Sequence, residues 1–161
     1  YQVKNMTDQT QNQQEFTIQR IYIKDVSFEA PNTPEIFKNE WKPSANIDIH
    51  VNPKTLTDNT YEVTLKLTTA MQNDNQTAFL VEVAFAGIFT LKSFPADQLE
   101  YLLRTTCATI LFPYVSEFIA DLVRRSSFPP LFLPPVNFEA MYQDYMAKQK
   151  LTSGEGTTTV Q

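Results

Sequence analysis

The sequence predicts an α+β fold in which a four-stranded antiparallel sheet comes first and helices follow. Two observations carry this prediction. Apolar and polar residues alternate along four successive segments between residues 16 and 91, which is typical of strands with one buried face. Beyond Pro95, apolar residues instead recur every three or four positions, as on one side of a helix. Strands followed by helices favour an α+β fold with an antiparallel meander.

The first strand is predicted at residues 16–29, which are rich in β-branched and aromatic residues. In its second half, apolar and polar residues alternate. Tyr22, Val26 and Phe28 are predicted on one face of the strand, and Asp25, Ser27 and Glu29 on the other. Near Gln19 and Arg20 the apolar residues change parity, and we therefore expect a β-bulge there.

The next three strands are separated by one long loop and two polar turns. Residues 30–44 contain three prolines and are predicted to cross over between strands, with Phe37 and Trp41 in the loop. The segments NIDIHVN and YEVTLKL form a predicted hairpin, with His50 on its polar face. TAFLVEVAFAGIFTL is the predicted fourth strand, with Val81, Val83 and Phe85 on the apolar face.

Two helices are predicted after the sheet, a long one and a shorter C-terminal one. The long segment 98–125 has an apolar stripe that is wider than one sheet requires, and Pro113 should either kink it or divide it. The segment SSFPPLFLPPVNF then contains four prolines, and an amphipathic helix follows at residues 137–149.

We divide the chain into a flexible N-terminal segment at 1–15, one folded domain at 16–149 and a flexible tail at 150–161. Met6 is the expected natural start, with residues 1–5 as an expression remnant. Residues 1–15 lack the apolar region of a signal peptide, and we expect no run to approach the length of a membrane span.

The composition excludes most catalytic and cofactor-binding machinery. One His and one Cys are too few for a metal cage, and three Gly supply no phosphate-binding loop, so no cofactor or metal is expected. A net charge of -5 argues against nucleic-acid binding. A lone cysteine suits a reducing compartment, which predicts a cytoplasmic location.

The wide apolar stripe and the two free edges of the sheet predict a homo-oligomer. A helix that is apolar on two sides needs a second packing partner, and unpaired strand edges tend to be covered or paired. The residues themselves do not fix the number of copies.

Several runs together resemble the bacterial protein-export chaperone family SecB. They are FTIQRIYIKDVSFEAPN, TAFLVEVAFAGIF, ILFPYVSEFI and FPPLFLPPVNFEAMY, in this order, and the resemblance covers about residues 16–149. It implies an ATP-independent cytoplasmic chaperone that is a homotetramer, a dimer of dimers. Such a chaperone binds unfolded secretory precursors, keeps them translocation-competent and delivers them to the motor SecA at the SecYEG translocon, without inserting into the membrane.

The resemblance and the apolar loops together predict three groups of functional residues. The predicted client groove is Phe37, Trp41, Phe128, Leu131, Phe132 and Leu133. The predicted SecA surface, which receives a basic zinc-bearing segment of SecA, is Asp25, Glu29, Leu80 and Glu82. The predicted assembly and core residues are Val81, Val83 and Phe85. The simpler alternatives are loops that only cover helix ends and carboxylates that are only solvated.

Competing functions remain open at this stage. Asp25, Glu29 and Glu82 could serve an enzyme, but paired catalytic carboxylates need an enclosed site and strand parity places these outside. A SecB-like chaperone dedicated to one client, such as an antitoxin, is a second alternative, as is a peptide-binding module outside export. A carrier of apolar ligands would need a closed cavity, whereas these apolar residues lie in long loops.

Overall fold

The computed structural model describes residues 13–154 and contains one antiparallel sheet followed by helices. The strands span Glu15–Glu29 (β1), Pro43–Thr57 (β2), Thr60–Asn73 (β3) and Gln76–Lys92 (β4). The helices span Ala96–Arg104 (α1), Thr106–Arg125 (α2) and Phe138–Gly154 (α3), and a short 3-10 helix spans Glu35–Lys38. The predicted α+β class with a four-stranded antiparallel sheet is confirmed.

The strand order in the sheet is β1-β4-β3-β2, with every neighbouring pair antiparallel. Strands β2, β3 and β4 form the predicted meander, and their tight turns contain Asn59, Asp74 and Asn75 with positive φ. Strand β1 lies beyond β4, so the crossover loop carries the chain from one edge of the sheet to the other. Both β1 and β2 are therefore edge strands.

Two register shifts interrupt β1, and only one of them was predicted. The shift between Ile18 and Arg20 confirms the expected bulge. A second shift lies between Ile23 and Asp25, and it reverses the parity of the residues before it. Tyr22 therefore shares a face with Asp25, and its predicted place beside Val26 and Phe28 is wrong.

The core lies between the helix α2 and one face of β3 and β4. On the sheet, the fully buried residues include Val63, Leu65, Leu67, Val81, Val83 and Phe89. On α2, the fully buried residues are Cys107, Ala108, Leu111, Val115, Ile119 and Val123, which follow one side of the helix. The other face of the sheet carries no helix in the part of the chain that the structure describes.

The long helical segment breaks at Thr105, whereas Pro113 lies inside α2. The Thr105 hydroxyl donates to the Tyr101 carbonyl at 2.7 Å, and the Thr109 hydroxyl donates to the Thr105 carbonyl at 2.8 Å. Such side-chain bonds to the preceding turn compete with the regular ladder and bend helices. The break therefore coincides with the threonines and not with the proline.

The segment Ala96–Arg125 is long and apolar enough to cross a membrane by length and composition alone. The expectation that no run approaches that length is therefore wrong for this segment. The core helix of a soluble protein can have the same length and composition, and α2 does pack on the sheet, although only 33% of the most apolar stretch is buried within the chain. The rest of its apolar surface faces outwards, in agreement with the wide stripe seen in the sequence.

The ordered elements extend slightly past the predicted domain limits of 16 and 149. Strand β1 includes Glu15, and α3 continues to Gly154, with the Asn137 side chain accepting a bond from the Ala140 amide at 3.0 Å at the helix start. The expectations for residues 1–12 and 155–161, including the natural start at Met6, lie outside the described residues.

A methyl group added at Gly87 should destabilise this core. A Cβ atom there would lie 2.6 Å from the Phe89 ring and 3.3 Å from Leu111, so one of these buried side chains must move. We expect Gly87→Ala to lower the free energy of unfolding by about 1–3 kcal/mol, measured by urea unfolding. The same change at Gly154, which has no atom within 4 Å, should have little effect. Equal effects at both glycines would contradict this packing.

Candidate functional site

An aromatic cluster lies where the crossover loop meets the loop after α2. Phe128 is at its centre, with ring centroids 5.1 Å from Phe37, 6.1 Å from Trp41 and 5.1 Å from Phe79. We call Phe37, Trp41, Phe79 and Phe128 the aromatic cluster. It joins two segments that are far apart in the chain but both predicted to bind clients.

The members of the aromatic cluster differ in accessibility. Phe37 is 48% exposed and Trp41 is half-buried, whereas Phe128 is only 5% exposed. The prediction of Phe128 as an accessible contact therefore needs correction, because its ring fills the space beneath Phe37 and Trp41. Phe128 supports the accessible rings from below.

The crossover loop is held in place by hydrogen bonds at both ends. The Asn32 side chain donates to the Thr77 carbonyl at 2.9 Å, and the Lys42 amide donates to the Asn73 side chain at 2.6 Å. Ile36 in the 3-10 helix is buried and anchors the middle of the loop. Phe37 and Trp41 are thus presented on an ordered loop.

The remaining predicted client residues form a second patch on α2. Leu131, Phe132 and Leu133 lie over Phe112 and Pro113 and line a groove of about 470 Å³. Phe132 is 84% exposed, whereas the two leucines are half-buried. We call Leu131, Phe132 and Leu133 the loop patch.

Phe132 also lines an adjoining groove of about 400 Å³ on α2, together with Phe85, Tyr114 and Phe118. The six predicted client residues thus divide between the aromatic cluster and the loop patch, which the chain connects through residues 129–130. The apolar surface is longer than either loop alone.

Val81, Val83 and Phe85 face the helices, as the sequence predicts. Val81 and Val83 are fully buried, and the Phe85 ring lies 6.2 Å from Tyr114 and 5.9 Å from Phe118. All three are covered by their own chain, so any influence on assembly would act through the position of α2.

The opposite face of the sheet carries the residues predicted for SecA. Glu29 lies opposite Leu80, and Glu82 lies opposite Ser27, so they share the solvent face with Asp25. We call Asp25, Glu29, Leu80 and Glu82 the acidic surface. The structure brings these four residues together across β1 and β4.

The charges on this face are unevenly distributed. Glu82 forms an ion pair with Lys66 at 2.9 Å, whereas none of the ion pairs found within residues 13–154 includes Asp25 or Glu29. Towards the other end, Arg20 and Lys54 lie in one row across the sheet, with Glu62 as the single carboxylate between them. The face is therefore acidic at one end and more basic at the other.

A cluster that the sequence did not indicate lies at this second end, around Glu62. The Tyr22 hydroxyl donates to the Glu62 carboxylate, and Lys24 donates to the same carboxylate at 2.8 Å. The hydrogen bond from Lys24, followed by that from Tyr22, lowers the pKa of Glu62, while burial and then Glu62 raise the pKa of Tyr22 to about 12. The small Ala86 opposite Tyr22 leaves room for this bridge over β4.

Comparisons with known proteins agree with these features. A sequence model described as "Preprotein translocase subunit SecB" matches residues 9–149. The chain is 48% identical over 153 residues to the protein-export protein SecB of Legionella pneumophila strain Corby and 47% identical to that of strain Philadelphia 1, with 94% of each chain covered.

A solved structure has a similar fold. It is a SecB-like chaperone of Mycobacterium tuberculosis in complex with a peptide from an antitoxin, with a TM-score of 0.64 and 19% sequence identity. The match covers 76% of this chain and 91% of the other. At this identity the likeness concerns the fold alone.

Removal of the Glu62 charge should destabilise the protein in a pH-dependent way. The folded-state pKa of Glu62 lies below its ordinary value of 4.5, so its stabilisation is complete above that pH and is lost as the pH falls through the folded-state pKa. We expect Glu62→Gln to cost about 1 kcal/mol at neutral pH, measured by urea unfolding. The gap to the unmodified protein should begin to narrow as the pH falls below 4.5 and should close below the lowered folded-state pKa of Glu62.

Glu117→Gln is the control, because Glu117 is exposed and should change stability little at any pH. A Glu62→Gln effect that stayed constant down to acidic pH would contradict the charge-based account.

Proposed function

The chain belongs to the SecB family of protein-export chaperones, and on this premise we propose that it binds unfolded secretory precursors through the aromatic cluster and the loop patch. It keeps them translocation-competent in the cytoplasm, without ATP or a cofactor, and delivers them to SecA for export through SecYEG. It is not an enzyme on this proposal, because Asp25, Glu29 and Glu82 lie on an open face and not in an enclosed site.

The observation that carries the proposal is the exposure of large aromatic side chains on supported loops. Phe37 and Phe132 would bury substantial apolar area on contact with an unfolded chain. Within the aromatic cluster, Phe128 supports the rings of Phe37 and Trp41 from below. The prolines around Phe132 limit the conformational entropy that the loop loses on binding. Such surface binds apolar segments without a requirement for one sequence.

We propose the acidic surface as the contact for SecA. Asp25 and Glu29 provide negative charge, and the exposed Leu80 adds apolar contact at the same place. A basic segment would be attracted to this end of the face and repelled from the end near Arg20 and Lys54. The charge distribution would therefore also orient the partner.

We also propose a homotetramer built as a dimer of dimers. The Leu91 amide donates to the Asn59 carbonyl at 2.9 Å, so odd-numbered residues of β4 bond to β3 and even-numbered ones bond to β1. The β1 residues opposite the odd-numbered positions of β4 therefore have free backbone N–H and C=O groups, and these residues are mostly apolar. Among them, Ile18, Ile23 and Val26 are exposed. A second copy would cover this proline-free edge, and the outward apolar side of α2 would join the dimers.

A chaperone dedicated to one client is the second candidate. The Mycobacterium tuberculosis neighbour, described in complex with an antitoxin peptide, is the observation in its favour. The higher identity to protein-export relatives favours the general export role. A gene for a toxin and antitoxin pair beside that of this chain would favour the dedicated role.

Charged replacements on the two apolar patches should weaken client capture. We expect Phe37→Glu and Phe132→Glu each to raise the Kd for an unfolded precursor by about tenfold, the loss typical of a buried aromatic contact. The measurement is fluorescence anisotropy of a labelled precursor, with light scattering to verify that the assembly is unchanged.

Leu151→Glu is the matched control, because Leu151 is also a large exposed apolar residue but lies on α3 outside both patches. Client affinity that stays unchanged in both Phe variants would refute this assignment. A loss equal to theirs in the Leu151 variant would show that apolar exposure in general is responsible.

Charge reversal on the acidic surface should abolish SecA binding. The double variant Asp25→Lys and Glu82→Lys replaces negative with positive charge where the basic segment is proposed to bind. Binding of SecA to the unmodified protein should also weaken as salt rises, because the contact is exposed and screened. Both are measured by isothermal titration calorimetry.

The control is Glu15→Lys with Asp58→Lys, which makes the same change in net charge at the opposite end of the sheet. Binding should persist in this control. Retained SecA binding in the Asp25 and Glu82 variant would rule out the acidic surface as the contact.

A further inference from the structure

The free edge of β2 can be identified from one backbone hydrogen bond. The Asp74 amide donates to the Lys42 carbonyl at 3.3 Å, and the register from Pro43 opposite Asn73 to Thr55 opposite Tyr61 is unshifted. Even-numbered residues of β2 therefore bond to β3, and odd-numbered residues direct their N–H and C=O groups away from the sheet. Ala45, Ile47, Ile49 and Val51 belong to this free edge.

Two prolines bracket this run of free backbone groups. Pro43 and Pro53 are both odd-numbered, so each stands at the free edge, where the N–H group that proline lacks would otherwise be unpaired. Between the prolines, four successive free amides, at Ala45, Ile47, Ile49 and Val51, can donate to an added strand, and Pro53 separates them from Thr55. Strand β1 has no such interruption, because it contains no proline.

Arg104 already forms a hydrogen bond with the last free carbonyl group between the two prolines, that of Val51. Its Nη1 donates to the Val51 carbonyl at 3.2 Å, and its Nε donates to Glu100 at 2.6 Å. The guanidinium also lies over the Tyr145 ring, 3.7 Å from the centroid. One side chain thus connects α1, the edge of β2 and α3.

A groove lies at the Val51 end of the same edge. It has a volume of about 360 Å³ between β2 and α3, and its lining is Ile49, His50 and Val51 of β2 with Arg104, Met141 and Tyr145 among the helix residues. Strand β2 begins directly after Trp41 and Lys42, so the open part of the edge continues from the aromatic cluster. A client segment bound at that cluster could therefore extend along β2.

We propose that Arg104 is a positioning residue that ends strand addition at β2. An extended segment of an unfolded client pairs with Ala45, Ile47 and Ile49 and stops at Val51, whose carbonyl Arg104 already occupies. This inference rests on the proposed function. The short open run gives a client only a few backbone hydrogen bonds, while the blocked end opposes edge-to-edge association of folded copies.

Residue-resolved amide hydrogen exchange of the full-length protein tests the pairing. The probe is a short synthetic peptide of alternating Val and Thr, and its control is the same peptide N-methylated at every second residue. At a free peptide concentration about 100 times its Kd, exchange at Ala45, Ile47 and Ile49 should slow by up to about 100-fold. Asn46 and Asp48, which already bond to β3, should change little, and so should Val51.

Variants then separate Arg104 from the helix that it contacts. In Arg104→Met the protection should spread to the Val51 amide, whereas Arg104→Lys retains a donor and should restore the stop. Tyr145→Leu removes the ring beneath the guanidinium but leaves the bond to Val51, so its protection should still end at Ile49. If protection reaches the Val51 amide in Tyr145→Leu as strongly as in Arg104→Met, the packing of α3 and not Arg104 ends the pairing, and the proposed role of Arg104 is overturned.

Two results on the unmodified protein overturn the inference without any variant. One is equal protection at odd and even positions of β2, which would indicate side-chain burial in place of strand pairing. The other is protection of Val51 equal to that of Ile49. If the protein captures an unfolded precursor and either result is found, only this inference fails. If it captures none, the proposed function itself fails.

Discussion

The packing of α2 against one face of β3 and β4 is the interaction on which the rest of the structure depends. Leu111, Val115 and Ile119 are fully buried there, and Phe89 is buried beneath them in the sheet. Because a single helical layer covers only one face, it leaves the other face, two strand edges and the outer side of α2 available. The acidic surface, the two strand pairings and the contact between dimers are all proposed on these four surfaces, whereas the aromatic cluster lies on the loops beside them. None of these contacts requires a catalytic centre.

The two strand edges differ in a way that suits two kinds of partner. Strand β1 presents an apolar edge without proline, which suits permanent pairing with an identical copy. Strand β2 is bracketed by Pro43 and Pro53 and is blocked at Val51 by Arg104, which suits short and reversible pairing. Separate edges allow a chaperone to bind and release clients without exchanging its own subunits.

Alternation and composition predicted the four strands, the crossover loop and the apolar residues on it, because these depend on local pattern. The second bulge in β1 was missed because Tyr22 was assigned to the same face as Val26 and Phe28, although the change from Ile21 and Ile23 to Val26 marks the shift in the sequence. The bridge from Tyr22 to Glu62 was missed with it. The burial of Phe128 and the bond from Arg104 to Val51 join segments far apart in the chain, which no local pattern encodes. The break at Thr105 was overlooked because Pro113 is the stronger local signal.

The central claim is that this fold is complete only when copies of the chain cover its open edge and outer helix. The most direct test is the mass of the full-length protein in solution, measured by multi-angle light scattering over a range of micromolar concentrations. The account predicts a particle of four 18.5 kDa chains, with the dimer as the intermediate on dilution. A stable 18.5 kDa monomer over the whole range would contradict it.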